Sequence, residues 1–502
     1  MPKLGFGTKL AFGVGQGAEG MKNSAFGAFL LIYYSQVLGL HPALAGTVLL
    51  LALVFDAVTD PLTGSISDTW RSRWGRRHGF MYAAAIPMAI TFYFVWTPPE
   101  GLGQTELFLW MLLWTILARG AMTLYHVPHL ALGAELTNDY TERTRVVGYR
   151  IFFGFLGAAS LFLIAGQVFM TPTLEFPEGQ LNAASYPPIG LWFGIAMGTL
   201  IFLSALGTHS RIPYLPKPAP DAAPFSARRL VNEMLEAGRN PSFRVFFVGI
   251  FLFFIARGID SGLGLYMGTF FWKLGTGAVT VPIAGLIGVL FGTAVFAGLA
   301  RRMEKKPMFM LGITGFSVFT MLLPIAKLVG FFPAEASPAY VPSIYFFTFV
   351  ASFFGAAGLI SSGSMLADIA DEHELQTGHR QEGIFFGALS FSGKASAGLG
   401  NWIASLALTA ISFPLQARVE AVDPAIVRQL AIIYGPGVLI LIIVSILIIS
   451  RYDLTKQRHT EIQVELARRK ASLGASSASE ARLRAPHAGF ARASGASGGT
   501  EP

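Results

Sequence analysis

The chain has 502 residues, of which 53% are hydrophobic and 13% charged, and its mean hydropathy is +0.54. A soluble domain carries about 25% charge, so a chain this long and this poor in charge belongs in a bilayer. The absence of cysteine excludes disulfides, thiolate metal sites and cysteine catalysis. The net charge of +8 does not signal nucleic acid, because the basic residues lie in short loops between apolar runs and in the tail.

A helix needs about 20 apolar residues to cross the hydrocarbon core. The first long apolar stretch, Ala25 to Leu40, reads as a retained span rather than a cleaved signal. Twelve spans are predicted, at 20–40, 42–66, 79–97, 106–130, 147–170, 189–208, 243–272, 281–300, 308–330, 343–366, 383–412 and 428–450. Loops after even-numbered spans are basic. Arg71, Arg73, Arg76 and Arg77 follow the second, Arg143 and Arg145 the fourth, and Arg301, Arg302, Lys305 and Lys306 the eighth. Segments 98–105, 171–188 and 331–342 hold no Lys or Arg. Basic loops stay in the cytoplasm, so both termini are expected there, in an integral inner-membrane protein.

The halves repeat. Ala134-Glu135-Leu136 is followed by Ile151-Phe152-Phe153-Gly154, and Ala367-Asp368-Ile369 by Ile384-Phe385-Phe386-Gly387, each pair offset by 233 residues. A parallel duplication of six spans predicts this. The expected fold is an all-α membrane protein of two pseudo-symmetric six-helix bundles, 1–208 and 243–450. They are joined by a Pro-rich cytoplasmic linker, 209–242. In the tail, 451–502, a short amphipathic helix is expected from Leu454 to Arg469, with the rest disordered.

Ionisable groups inside spans are costly and mark sites. Asp56 and Asp60 stand at i,i+4 in the second span, which puts both carboxylates on one helix face about 6 Å apart along the axis. Two like charges there call for a cation between them, with Thr59 as a further oxygen. The other reading is that each acid neutralises Arg or Lys on a neighbouring helix. Lys394, in the eleventh span among Gly393, Gly398 and Gly400, is expected to meet Asp56 or Asp60, either as a coupling element or as an inert tether. Arg119 must be paired. His126 and Arg150 are candidates for substrate contact, whereas His129 reads as structural, and Arg257 and Asp260 read as neutralising one another. Glu19 and Lys22 are placed at the start of the first span, with Glu19 a candidate ligand. No zinc-ligand set and no phosphate loop with Lys-Ser/Thr is present, so an enzyme or ATP-driven pump is not expected. A porter driven by an ion gradient remains.

The string Phe55-Asp56-Ala57-Val58-Thr59-Asp60-Pro61-Leu62-Thr63-Gly64, followed by Arg71-Ser72-Arg73-Trp74-Gly75-Arg76-Arg77, resembles the glycoside–pentoside–hexuronide:cation symporters, whose familiar members are the melibiose permeases. Tyr33-Tyr34 and Val37-Leu38-Gly39-Leu40 are similar to this family too, and the resemblance covers about 1–450. It implies a twelve-helix major facilitator fold and a Na⁺, Li⁺ or H⁺ site at Asp56 and Asp60. Thr59 stands at a position often occupied by Asn, and Thr123 matches a hydroxyl contributor. It further implies roles for Lys394 and for Arg150 beside the substrate cavity. His126 replaces the family's sugar-gripping aspartate, Leu130 its stacking tryptophan, and Glu19 lies one position from its first-helix aspartate. Melibiose is therefore not the expected substrate, and His126 suits an acidic sugar or another anion. The expected function is cation-coupled symport of a sugar, glycoside or hexuronide by a monomer. The loop with Asp68, Arg71, Arg73, Arg76 and Arg77 would lock one state or merely anchor the fold. The alternatives are transport of a lysolipid or other amphiphile, or a membrane sensor that transports nothing.

Overall fold

In the computed structural model, which describes residues 3–137, 139–215, 235–300, 302–378 and 382–484, no strand is present among the described residues. Twelve long helices run back and forth: α1 Phe6–Ala28, α2 Pro42–Thr69, α3 His78–Val95, α4 Gln104–Glu135, α5 Tyr140–Ile164, α6 Tyr186–Thr208, α7 Pro241–Tyr266, α8 Gly277–Leu299, α9 Lys305–Leu328, α10 Tyr340–Thr377, α11 Glu382–Ala410 and α12 Pro424–Ile449. Ten are long and apolar enough to cross a membrane on those grounds alone. The other two are α1, which carries Glu19 and Lys22, and α11, which carries Lys394. Proline opens α2, α7 and α12, where its missing N–H costs no helical bond.

Within each half the first and fifth helices pack through glycine. A Cβ on Gly157 would lie 2.2 Å from the Gly17 carbonyl oxygen, and one on Gly20 2.1 Å from that of Gly154. In the second half a Cβ on Gly400 would lie 2.4 Å from Gly258 Cα. Such near backbone contact is how helices associate where lipid removes the hydrophobic drive. The halves also share a π turn after their first helix, at Tyr33–Val37 and Met267–Phe271.

The bundles meet along α2 and α11, where a Cβ on Gly398 would collide with Leu53. They also meet at the face that carries segments 98–105, 171–188 and 331–342, opposite the Arg71–Arg77 loop. There the Gln416 amide N–H donates to Gln36 O at 3.1 Å, its side chain to Val37 O at 3.2 Å, and Gln36 Nε2 to Ala417 O at 3.3 Å. Gln180 Nε2 likewise bonds Thr269 Oγ1 at 3.0 Å and Gly275 O at 2.9 Å.

Three expectations need correction. The first helix begins at Phe6, not near residue 20. It carries Lys9, Glu19 and Lys22 along its length, which lower the hydropathy of a segment that is nonetheless packed against α5 and α6. The fourth and tenth helices outrun their apolar stretches, reaching Glu135 and Thr377, because their polar last turns find partners at the basic face. The tail helix, α13, spans Lys456–Arg484 rather than stopping at Arg469. Leu454, Ile462 and Leu466 are buried in the second half's core, and Arg458 holds Glu372 at 3.1 Å. Most of the expected linker, and residues 485–502, lie outside the described residues.

Candidate functional site

A cavity of about 360 Å³ lies between the bundles, lined by α1, α2, α4 and α11. Arg119, Thr123 and His126 share one face of α4 at helical spacing. Asp56 bonds Arg119 and Asp60 bonds Thr123 at the same separation of 63 residues, which is the register of two parallel helices side by side. Arg119 donates twice to Asp56 Oδ2, from Nε at 2.9 Å and Nη2 at 2.6 Å. Asp56 Oδ1 is buried and has no hydrogen-bond partner. The Thr123 hydroxyl donates to Asp60 Oδ1 at 2.8 Å, and the Lys394 ammonium donates to Asp60 Oδ2. That last pair joins the two halves at the cavity wall. Each acid of the second helix thus has its own protein cation, so the neutralising arrangement is the one present in this state.

On the opposite wall, Glu19 Oε2 takes a hydrogen bond from the Gln16 amide at 2.7 Å and contacts His126 Nε2. Glu19 and Lys22 are 7% and 6% exposed. They lie well inside α1 and line the cavity, rather than standing at the start of the span.

Six expected site residues therefore converge: Asp56, Asp60, Thr123, Glu19, His126 and Lys394. Thr59 and Arg150 do not line the cavity. The Thr59 hydroxyl is spent on Phe55 O of its own helix at 2.9 Å, and Arg150 is half-buried on α5. His129 is structural: its Nε2 meets Phe12 O at 2.9 Å and its ring stacks on Phe12. Arg257 pairs with Asp260 at 2.5 Å. Among the described residues no cluster of three or more His, Asp or Glu side chains could hold a metal ion.

The basic loop after α2 folds onto its own half. Arg76 and Arg77 both donate to Glu135 Oε1, at 2.7 and 2.9 Å, and Arg77 also reaches Ser67 Oγ at 2.7 Å and Asp68. Arg71 and Arg73 are exposed. The second half repeats the device: Lys305 grips Asp368, the repeat partner of Glu135, at 2.6 Å. Sequence reasoning missed Glu135 as the anchor and Lys22 as a cavity residue. The offset of 233 between Glu135 and Asp368 and the i,i+3 spacing of Glu19 and Lys22 were the available signals.

Residues 11–456 match the family of MFS/sugar transport proteins. The mouse sodium-dependent lysophosphatidylcholine symporter 1 is 24% identical over 94% of this chain and 90% of its own. The glucuronide carrier protein homolog of Escherichia coli (strain K12) is 24% identical over 93% of this chain and 96% of its own. Among solved structures, the nucleoside transporter NupG superposes with a TM-score of 0.59 at 14% identity, over 89% of this chain and 99% of that one, a likeness of fold. With its family match covering nearly the whole chain and its charges converging on a cavity between two six-helix bundles, this protein belongs to the MFS/sugar transport family and is an integral membrane transporter of the major facilitator fold, not an enzyme.

Proposed function

We propose that the chain is a cation-coupled symporter of a sugar, glycoside or hexuronide, working by alternating access in the inner membrane as a monomer with both termini in the cytoplasm. The observation that carries this reading is the Lys394–Asp60 pair, an ionic link between the halves in the wall of the central cavity. Asp60 is also the carboxylate that, with Asp56 and Thr123, offers hard oxygen donors to Na⁺ or Li⁺, or a base to H⁺. The free buried oxygen of Asp56 supports the same placement, since a buried acceptor without a partner is costly. A cation at Asp60 competes with Lys394 and loosens the link between halves, which ties occupancy to their rocking. By linkage, substrate and cation raise one another's affinity equally.

The glutamine bonds between the halves, at the face opposite the Arg71–Arg77 loop, support an inward-facing state. In the opposite state, the exposed Arg71 and Arg73 are free to meet the second half, while Arg76, Arg77 and Asp68 keep the loop in shape. The resemblance to a lysolipid symporter favours a second cargo with the same cation site. The lining of Glu19, Lys22, Asp56, Asp60, Arg119 and Lys394 favours a small polar cargo instead, because an acyl chain needs apolar walls.

The test is uptake of glycosides, uronides and lysolipids into proteoliposomes under imposed Na⁺, Li⁺ or H⁺ gradients. Gradient-driven uptake that is lost in Asp60→Asn supports the reading. Uptake indifferent to every gradient and retained in Asp56→Asn/Asp60→Asn sinks it.

A further inference from the structure

Every acid in the cavity has a partner: Asp56 has Arg119, Asp60 has Lys394, and Glu19 has His126 and Gln16. Lys22 is different. Its side chain is buried, it lines the cavity, and among the described residues it makes no hydrogen bond or ion pair. An ammonium inside a membrane protein without a counter-ion is among the costliest groups to bury. Apart from the Glu19–His126 contact, the acids of the cavity, Asp56 and Asp60, are matched one to one by Arg119 and Lys394, which leaves Lys22 as a further cation in the same lining. Lys22 is the cavity cation that no hydrogen bond or ion pair holds among the described residues.

We propose that Lys22 is an anion subsite, and that the transported molecule carries one acidic group, a carboxylate on a sugar-sized polar body, which binds the Lys22 ammonium. The inference rests on the symporter reading above and names its substrate class. Cavity size agrees: about 360 Å³ is near the lower end for small-molecule sites. Asn23, exposed to the same cavity from the next position on α1, supplies an amide for hydroxyls. An ammonium donates three hydrogen bonds from a compact centre while cancelling a full negative charge, so the subsite discriminates by charge rather than by shape.

The experiment measures binding to the purified full-length protein of two probes that differ at one carbon, methyl β-D-glucuronide and methyl β-D-glucoside, with lysophosphatidylglycerol as a third. The wild-type protein is expected to bind the glucuronide more tightly than the glucoside by the scale of a charge-assisted hydrogen bond, about 10- to 100-fold. Lys22→Met is expected to erase that preference, while Lys22→Arg keeps most of it. Lys22→Gln, which retains length and polarity, replaces Lys22→Met where the latter does not fold. Binding of lysophosphatidylglycerol in place of the glucuronide, with the same dependence on Lys22, supports the anion subsite and assigns the anion to a lipid phosphate. Equal binding of both sugars by the wild type, no binding of either charged probe, or a charge preference that survives Lys22→Met overturns it. Gradient-driven uptake of the glucoside alone would overturn the subsite and leave the symporter reading standing. Absence of uptake for all three probes under every gradient would overturn that reading itself.

Discussion

Replacing Lys394 with Met isolates the link between the halves. In the structure one oxygen of Asp60 takes the Thr123 hydroxyl and the other takes the Lys394 ammonium. The substitution leaves the carboxylate with one hydrogen bond. Stripping one partner from a fully buried pair costs about 3–5 kcal/mol, and exposed pairs are worth about 0.2–1 kcal/mol. The Lys394 and Asp60 side chains are 31% and 19% exposed, to the cavity, so about 1–3 kcal/mol is expected between those limits. Asp60→Asn removes the charge that Lys394 serves, and the double variant should recover much of the loss. Thermal unfolding of the wild type, both single variants and the double variant in one detergent yields the coupling. The same series read with and without Na⁺ or Li⁺ adds a second discriminant. Freeing Asp60 should increase cation stabilisation in Lys394→Met, since an ion that binds only the folded state stabilises it, and Asp60→Asn should abolish it. Strictly additive single effects, or an ion effect that persists in Asp60→Asn, would refute the reasoning.

Three further outcomes are expected. Glu135→Ala leaves Arg76 and Arg77 without their shared acceptor and should cost about 1–3 kcal/mol, read as a lowered unfolding temperature, whereas Arg71→Ala should change stability by less than about 0.5 kcal/mol. Gly157→Val places a side chain against the Gly17 backbone and should part α1 from α5 at a cost of about 3 kcal/mol or more, seen as loss of monodisperse protein, while Gly148→Ala, which has open space, should be silent. Glu335, in the loop after α9, is pushed up by partial burial but more strongly held down by the Lys327 hydrogen bond and charge, with Lys273 adding to this. Its folded pKa lies below the ordinary 4.5, so its contribution is present above that value and is lost as the pH falls through the folded value. The stability gap between wild type and Glu335→Gln should therefore be flat above about pH 5 and close on acidification; a gap that opens toward low pH would contradict the pairing.

The number of spans, their alternation of basic loops and the repeat at 233 residues were all legible in the chain, because partition into lipid and retention of Lys and Arg depend on local composition. Asp56, Asp60 and Lys394 stood out for the same reason: a charge inside an apolar run is rare enough to be noticed. Their partners were not legible. Lys394 could have met either acid, and Arg119 could have met several. The choice of Asp60 for Lys394 and of Asp56 for Arg119 follows from the parallel register of α2 beside α4 and the crossing of α2 with α11. Hydropathy also misplaced the start of α1, because the turns carrying Lys9 and Glu19 look too polar for a span until the helix is seen packed against α5 and α6. Sequence thus determined which segments enter the membrane, since that free energy is summed along the chain. Only the tertiary structure decided which charges are satisfied and which, like Lys22, are left facing the cavity, since that depends on helix faces brought together by glycine contacts between residues more than a hundred positions apart.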